Sequence, residues 1–143
     1  MIDLFLVVLV LFIFLSFIDV KVKEVPSFFL TSMILLVLLV NTYDMYYGLA
    51  HLYFGVCAFI FAWMLYEMDF IGGMADIKLL VVIGLMITNP LTFLLFMIVT
   101  GIVGFSYKII FRFGFKIKSG LEIPFIPAIT IIFLIMWVIG GVA

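Results

Sequence analysis

Six long apolar runs, broken only by short polar stretches, constrain this chain more than anything else in it. Residues 2–18, 27–43, 48–66, 71–88, 91–111 and 123–140 each approach or reach the about 20 residues that carry a helix across a bilayer's hydrocarbon core. A backbone in lipid has no water to satisfy its N–H and C=O groups, so each run is expected to be helical. Composition closes off the soluble alternative. Hydrophobic residues make up 69% of the 143 residues and charged residues 10%. A soluble fold of this size leaves too much area exposed to hide that much apolar surface. The expected fold class is an all-α membrane protein with six transmembrane helices, in a single polytopic domain over 1–143. No repeat or long linker divides it. The first run lacks a basic n-region and a small-residue cleavage site, so it reads as a retained helix.

The basic residues orient the bundle. Lys21 and Lys23 follow the first run, Lys78 lies near the start of the fourth, and Lys108, Arg112, Lys116 and Lys118 lie at or after the end of the fifth. The stretch NTYDMYY and the turn TNP, on the other side, contain no Lys or Arg. The positive-inside rule makes the basic side cytoplasmic and places both termini outside.

Several chemistries are excluded early. A net charge of −1 with no basic face gives nothing to track nucleic-acid phosphates. One cysteine, Cys57, and one histidine, His51, build neither a disulfide nor the usual transition-metal site. Cys57 reads as a small core residue and His51 as an interfacial one. No metal and no cofactor is expected.

The acids are more informative. Asp3 and Asp44 fall on the outer side, and Glu24, Glu67, Asp69 and Glu122 in cytoplasmic loops. Asp19 and Asp76 remain. From Leu4 to Asp19 is about 22 Å along a helix, and from Thr88 back to Asp76 about 18 Å. Against a hydrocarbon core about 30 Å thick, both carboxylates sit inside the cytoplasmic boundary at similar depth. The fourth run is too short unless IGGMAD enters the membrane too. Gly72, Gly73 and Ala75 then permit an unwound or closely packed backbone, tolerated at that depth only inside protein or beside a wet cavity. Lys78 can snorkel to the inner surface. An Asp at a helix end often just marks the membrane boundary, and Asp19 alone fits that reading as well. An acid inside a span is a functional site by default, and two at one depth form a pair.

Two carboxylates a few ångströms apart share a proton. One then serves as general base on a water while the other protonates or polarises a carbonyl. This is aspartyl protease chemistry, and it needs no Ser, Cys, His or metal.

Three stretches, IDVKVKEVPSFF (18–29), GGMADIKLL (72–80) and IPFIPAI (123–129), resemble the signature regions of the type IV prepilin peptidases and archaeal preflagellin peptidases. These are membrane aspartyl peptidases of the GxGD class. The resemblance makes Asp19 and Asp76 the catalytic pair. Val25-Pro26-Ser27 stands for the family's Ile-Pro-Asn-like turn, Gly73-Met74-Ala75-Asp76 for its Gly-x-Gly-Asp motif, and Lys78-Leu79-Leu80 for the segment after it. Ala75 replaces the second glycine and Ser27 the usual asparagine. The cysteine-rich region that accompanies methyltransferase activity in many bacterial relatives is absent, so methylation is not implied. The resemblance implies cleavage of leader peptides from pilin-like or archaellin-like precursors, just before their hydrophobic helix, at the cytoplasmic face of the cell membrane.

Leaders of that kind carry basic residues, which Glu67 and Asp69 can hold by charge; as solvated loop acids they need no such role. The main reading from another class is a small proton-coupled membrane carrier using the paired aspartates. Acids near one face rather than the midplane, and no inverted repeat, weigh against it. A non-catalytic scaffold has no need of two costly acids. A presenilin-like protease would cut within the substrate helix rather than before it.

Overall fold

The computed structural model describes residues 2–22, 25–43, 48–71, 73–114 and 124–140. Lys23, Glu24, Asp44, Gly72, Lys116, Lys118 and Glu122 lie outside them. The chain forms α1 (Ile2–Val22), α2 (Ser27–Thr42), α3 (Gly48–Glu67), α4 (Met74–Leu85), α5 (Pro90–Ile109) and α6 (Ile126–Gly140), with a π-helical turn (Ile110–Gly114) extending α5. Each expected run contains one helix. By length and composition, helices spanning Leu4–Lys21, Gly48–Glu67 and Pro90–Gly114 can cross a membrane, while Ser27–Asn41 and Ile126–Ile139 are shorter apolar helices.

Helix ends follow local chemistry. The Asn89 side chain accepts the Leu91 N–H at 2.9 Å, and Pro90 occupies the first helical position, where its missing N–H costs nothing. At the end of α3, Asp69 adopts a left-handed conformation, φ 56°. Its N–H donates to Tyr66 at 3.0 Å and the Phe70 N–H to Leu65 at 2.8 Å. This is a Schellman stop with aspartate in the place glycine usually takes.

The fourth helix departs from expectation. The run 71–88 holds only the 12 residues Met74–Leu85, about 18 Å of helix. At its end, Met86 and Ile87 tighten into 3₁₀-type bonds to Ile83 and Gly84, and the Asn41 amide of α2 donates to the Leu85 carbonyl at 2.7 Å. Protein rather than lipid surrounds it: Ile77, Leu79, Leu80, Val82 and Ile83 are all buried. A helix enclosed by other helices does not have to match the bilayer.

Small residues bring α4 against α3. A Cβ on Gly84 would lie 2.3 Å from Ala58 Cβ, and one on Gly55 2.3 Å from Leu85 Cδ2. Without them the backbones could not approach this closely. In the fifth run, a Cβ on Gly104 would lie 3.2 Å from the Phe125 ring, whereas one on Gly101 would meet nothing within 4 Å.

The helices fall into two groups. One is α4 with α2 and α3; the other is α6 with α1 and α5; contact of α4 with α6 joins them. Rings across the α3–α5 side, Phe54 with Phe93 and Phe61 with Phe96, add to that seam. Contacts gather the ends of α1, α3 and α5 and the starts of α2, α4 and α6 at one end of the bundle. Lys78 reaches Ser27 there, Lys108 the Asp69 carbonyl, and Tyr107 Pro124.

Candidate active site

Asp19 lies in the last turn of α1 and is half-buried. Its Oδ2 accepts the backbone N–H of Ile126 at 3.1 Å. Ile126 is the first residue of α6, whose opening N–H groups have no partner within the helix. Pro127 has no N–H, and the Ile129 N–H already bonds to Phe125 at 3.2 Å. Phe125 has no side-chain oxygen to cap the helix, so a carboxylate from α1 does it. Asp19 therefore stands at the end of one helix and the start of another. Only the first was legible from its own run.

Above it, α1 and α6 are held in antiparallel register. The hydroxyls of Ser16 and Thr130 are 2.8 Å apart, and Thr130 Oγ1 also reaches the carbonyls of Ile126, at 3.1 Å, and Phe12, at 3.3 Å. Further along, Phe12 and Phe5 pack on Phe133, with centroids 5.0 and 4.8 Å apart.

Asp76 sits in the first turn of α4 and is 6% exposed. Its N–H bonds to the Gly73 carbonyl at 3.2 Å. Gly73 is extended, φ −169°, and a Cβ there would meet nothing within 4 Å. Neither its backbone nor its surroundings thus demand glycine. Gly72 lies outside the described residues, and Ala75 is half-buried beside the core. Lys78, two residues beyond Asp76, donates to the hydroxyls of Ser27 at 2.5 Å and Thr31 at 3.2 Å. It ties the start of α4 to the start of α2, where the sequence predicts snorkelling to the surface.

The sequence reading passed over a residue at this end of the bundle. Tyr107, on α5, turns its hydroxyl toward the start of α6. That hydroxyl donates to the Pro124 carbonyl at 2.5 Å, and its ring packs edge-on against Phe125, with centroids 6.0 Å apart. In sequence Tyr107 is one interfacial aromatic among many; only its place near the basic end of the fifth run, facing IPFIP, hints at more.

Glu67 and Asp69 are exposed at the end of α3, on the side of the bundle that carries the acids. Lys108 donates to the backbone carbonyl of Asp69 and stands 5.6 Å from the centre of the Phe70 ring.

The sequence was compared with known proteins. The model of the type IV leader peptidase family matches residues 6–109, a span that includes both Asp19 and Asp76. No curated protein and no solved structure gives a significant match.

Proposed function

The chain belongs to the type IV leader peptidase family, and we propose that it is a membrane aspartic endopeptidase with Asp19 and Asp76 as its reacting acids. The family and the three long apolar helices fit a membrane protein. The proposed substrates are pilin-like or archaellin-like precursors, cut just before their hydrophobic helix at the cytoplasmic face.

One observation carries the reading. Asp19, at the end of α1, takes a hydrogen bond from the start of α6, and α6 packs on α4, whose first turn carries Asp76, so helices far apart in sequence bring both carboxyl groups to one end of the bundle. In the reaction one carboxylate takes a proton from water as its oxygen bonds to the scissile carbonyl carbon, and the protonated partner gives its proton to the carbonyl oxygen. The tetrahedral intermediate collapses as the C–N bond breaks: the acid that took the proton from water gives it to the leaving nitrogen, its partner takes one back from the intermediate's hydroxyl, and a carboxyl end and an amine end are released. Buried Asp76 is held by the fold of α4, and Asp19 by the N–H of Ile126. In this reading Lys78 keeps α2 and α4 in register, and Glu67 and Asp69 attract the basic leader.

The test uses purified protein in liposomes with a panel of pilin-like and archaellin-like precursors, the cut site being read by mass spectrometry. Wild type should cut before the hydrophobic helix, and Asp19→Asn and Asp76→Asn should each abolish cutting. Cleavage that survives either substitution would sink the two-aspartate mechanism.

A further inference from the structure

Tyr107 stands at the end of the bundle that carries both acids, and its hydroxyl proton is committed to the start of α6. It points to the Pro124 carbonyl, 2.5 Å away. A hydroxyl so engaged has no proton to give to a carboxylate or to substrate. Its influence on the site therefore runs through the backbone it holds.

That backbone is short. Pro124 and Phe125 precede the first turn of α6 and are not helical. Neither Pro124 nor Pro127 has an N–H, so this stretch has few ways to fix itself. Contacts from α5 hold it. The Tyr107 hydroxyl takes the Pro124 carbonyl, the Tyr107 ring packs edge-on against Phe125, and the Phe125 ring fills the space beside Gly104, 3.2 Å from where a Cβ would stand. Two residues after Pro124, the Ile126 N–H meets Asp19 Oδ2.

We propose that Tyr107 is a positioning residue for Asp19: by holding the Pro124 carbonyl it fixes the start of α6, and with it the N–H that orients the Asp19 carboxylate. The inference rests on Asp19 being one of the two reacting acids. The path is α5 hydroxyl, Pro124 carbonyl, Ile126 N–H, Asp19 carboxylate, and each step is a contact in the folded chain.

The test is Tyr107→Phe, which removes one oxygen and keeps the ring packing on Phe125. The first readout needs no substrate: the amide of Ile126 and the carboxyl carbon of Asp19, labelled and followed by NMR in a membrane mimetic. Exchange protection of the Ile126 N–H should fall about tenfold, the worth of one hydrogen bond, with that of Leu80 in α4 unchanged. The second readout is kinetics on a precursor with a basic leader and a hydrophobic helix. A misplaced carboxylate should lower kcat about tenfold or more with KM within about twofold. p-Aminophenylalanine at position 107, which keeps a donor at the same ring position, should restore both readouts. It also serves as the second variant if the Phe substitution folds poorly. Tyr53→Phe, the same change on the exposed face of α3, should alter neither. An Ile126 amide and Asp19 carboxyl that do not respond to Tyr107→Phe would overturn the proposal, whether or not the wild type cuts any precursor. So would a fall in kcat that the donor-bearing analogue fails to reverse. A wild-type protein that cuts nothing while the Ile126 amide still responds would instead count against the peptidase reading.

Discussion

The close approach of α3 and α4 gives the sharpest stability test, because one substitution sets two known effects against each other. Gly84→Ala places a methyl 2.3 Å from Ala58 Cβ and 3.0 Å from the Phe54 carbonyl oxygen. Carbons settle near 3.5–4.0 Å, so the helices must part by roughly 1.2–1.7 Å. Neither neighbour can swing away: one is a Cβ fixed to its backbone and the other is backbone itself. Alanine over glycine in a helix favours folding by about 1 kcal/mol. Overpacking in a tight interface costs about 1–3 kcal/mol, and rigid neighbours put this site at the upper end. The net expectation is a loss of about 2 kcal/mol, measured by equilibrium unfolding in mixed micelles. Because α4 carries Asp76, precursor cleavage should fall with it. Two comparisons isolate the cause. Gly101→Ala meets nothing within 4 Å, so helix propensity alone should act, leaving stability unchanged or raised by up to about 1 kcal/mol. Adding Ala58→Gly to Gly84→Ala removes the 2.3 Å clash, and the pair should show a coupling of about 1 kcal/mol or more. If Gly84→Ala is as stable as Gly101→Ala, or the coupling is near zero, the account of this interface is wrong.

Two further predictions concern the ends of α3 and α4. Glu67→Gln with Asp69→Asn removes both charges while keeping a residue that tolerates the left-handed conformation; KM for a basic-leader precursor should rise at low salt and converge with wild type as salt screens the attraction, and cleavage efficiency equal to wild type at every salt concentration would reject a role in leader binding. Asn41→Leu leaves the Leu85 carbonyl without the amide now 2.7 Å away; unfolding should become easier by about 0.5–2 kcal/mol, and an unchanged midpoint would mean that the carbonyl finds another partner.

The helices were legible because the apolar runs announce them, and a backbone in lipid would have to be helical. Their packing was not. Hydropathy says that a run is buried but not whether lipid or protein buries it. The fourth run therefore read as a span of 71–88, although its helix covers Met74–Leu85 inside the bundle. Glycine in an apolar run is equally ambiguous: Gly104 packs, Gly101 faces open space, and Gly55 and Gly84, which make the closest contact, gave no sign. At the site, the acids stood out because ionisable groups in apolar runs are rare. Tyr107 did not, since aromatic residues at membrane interfaces are common. The donor to Asp19 is a backbone N–H, which every residue but proline carries. Only the neighbouring prolines, by removing other donors, mark it at all.

The two acids belong to different parts of the scaffold. Asp76 rides on α4, wedged against α3 by small residues and tied to α2 through Lys78 and Asn41. Asp19 rides on α1, locked to α6 by Ser16, Thr130 and Ile126, with α6 in turn held to α5 by Tyr107. Asp19 takes a hydrogen bond from within its own three-helix group, Asp76 is buried at the start of α4, and the contact of α4 with α6 brings the groups together. Sliding along that seam would change the separation of the acids while leaving the bond from Ile126 to Asp19 whole. In the proposed mechanism the pairing of the acids is therefore a property of the interface between the groups, and a substrate helix lodged at that seam would alter the distance between them.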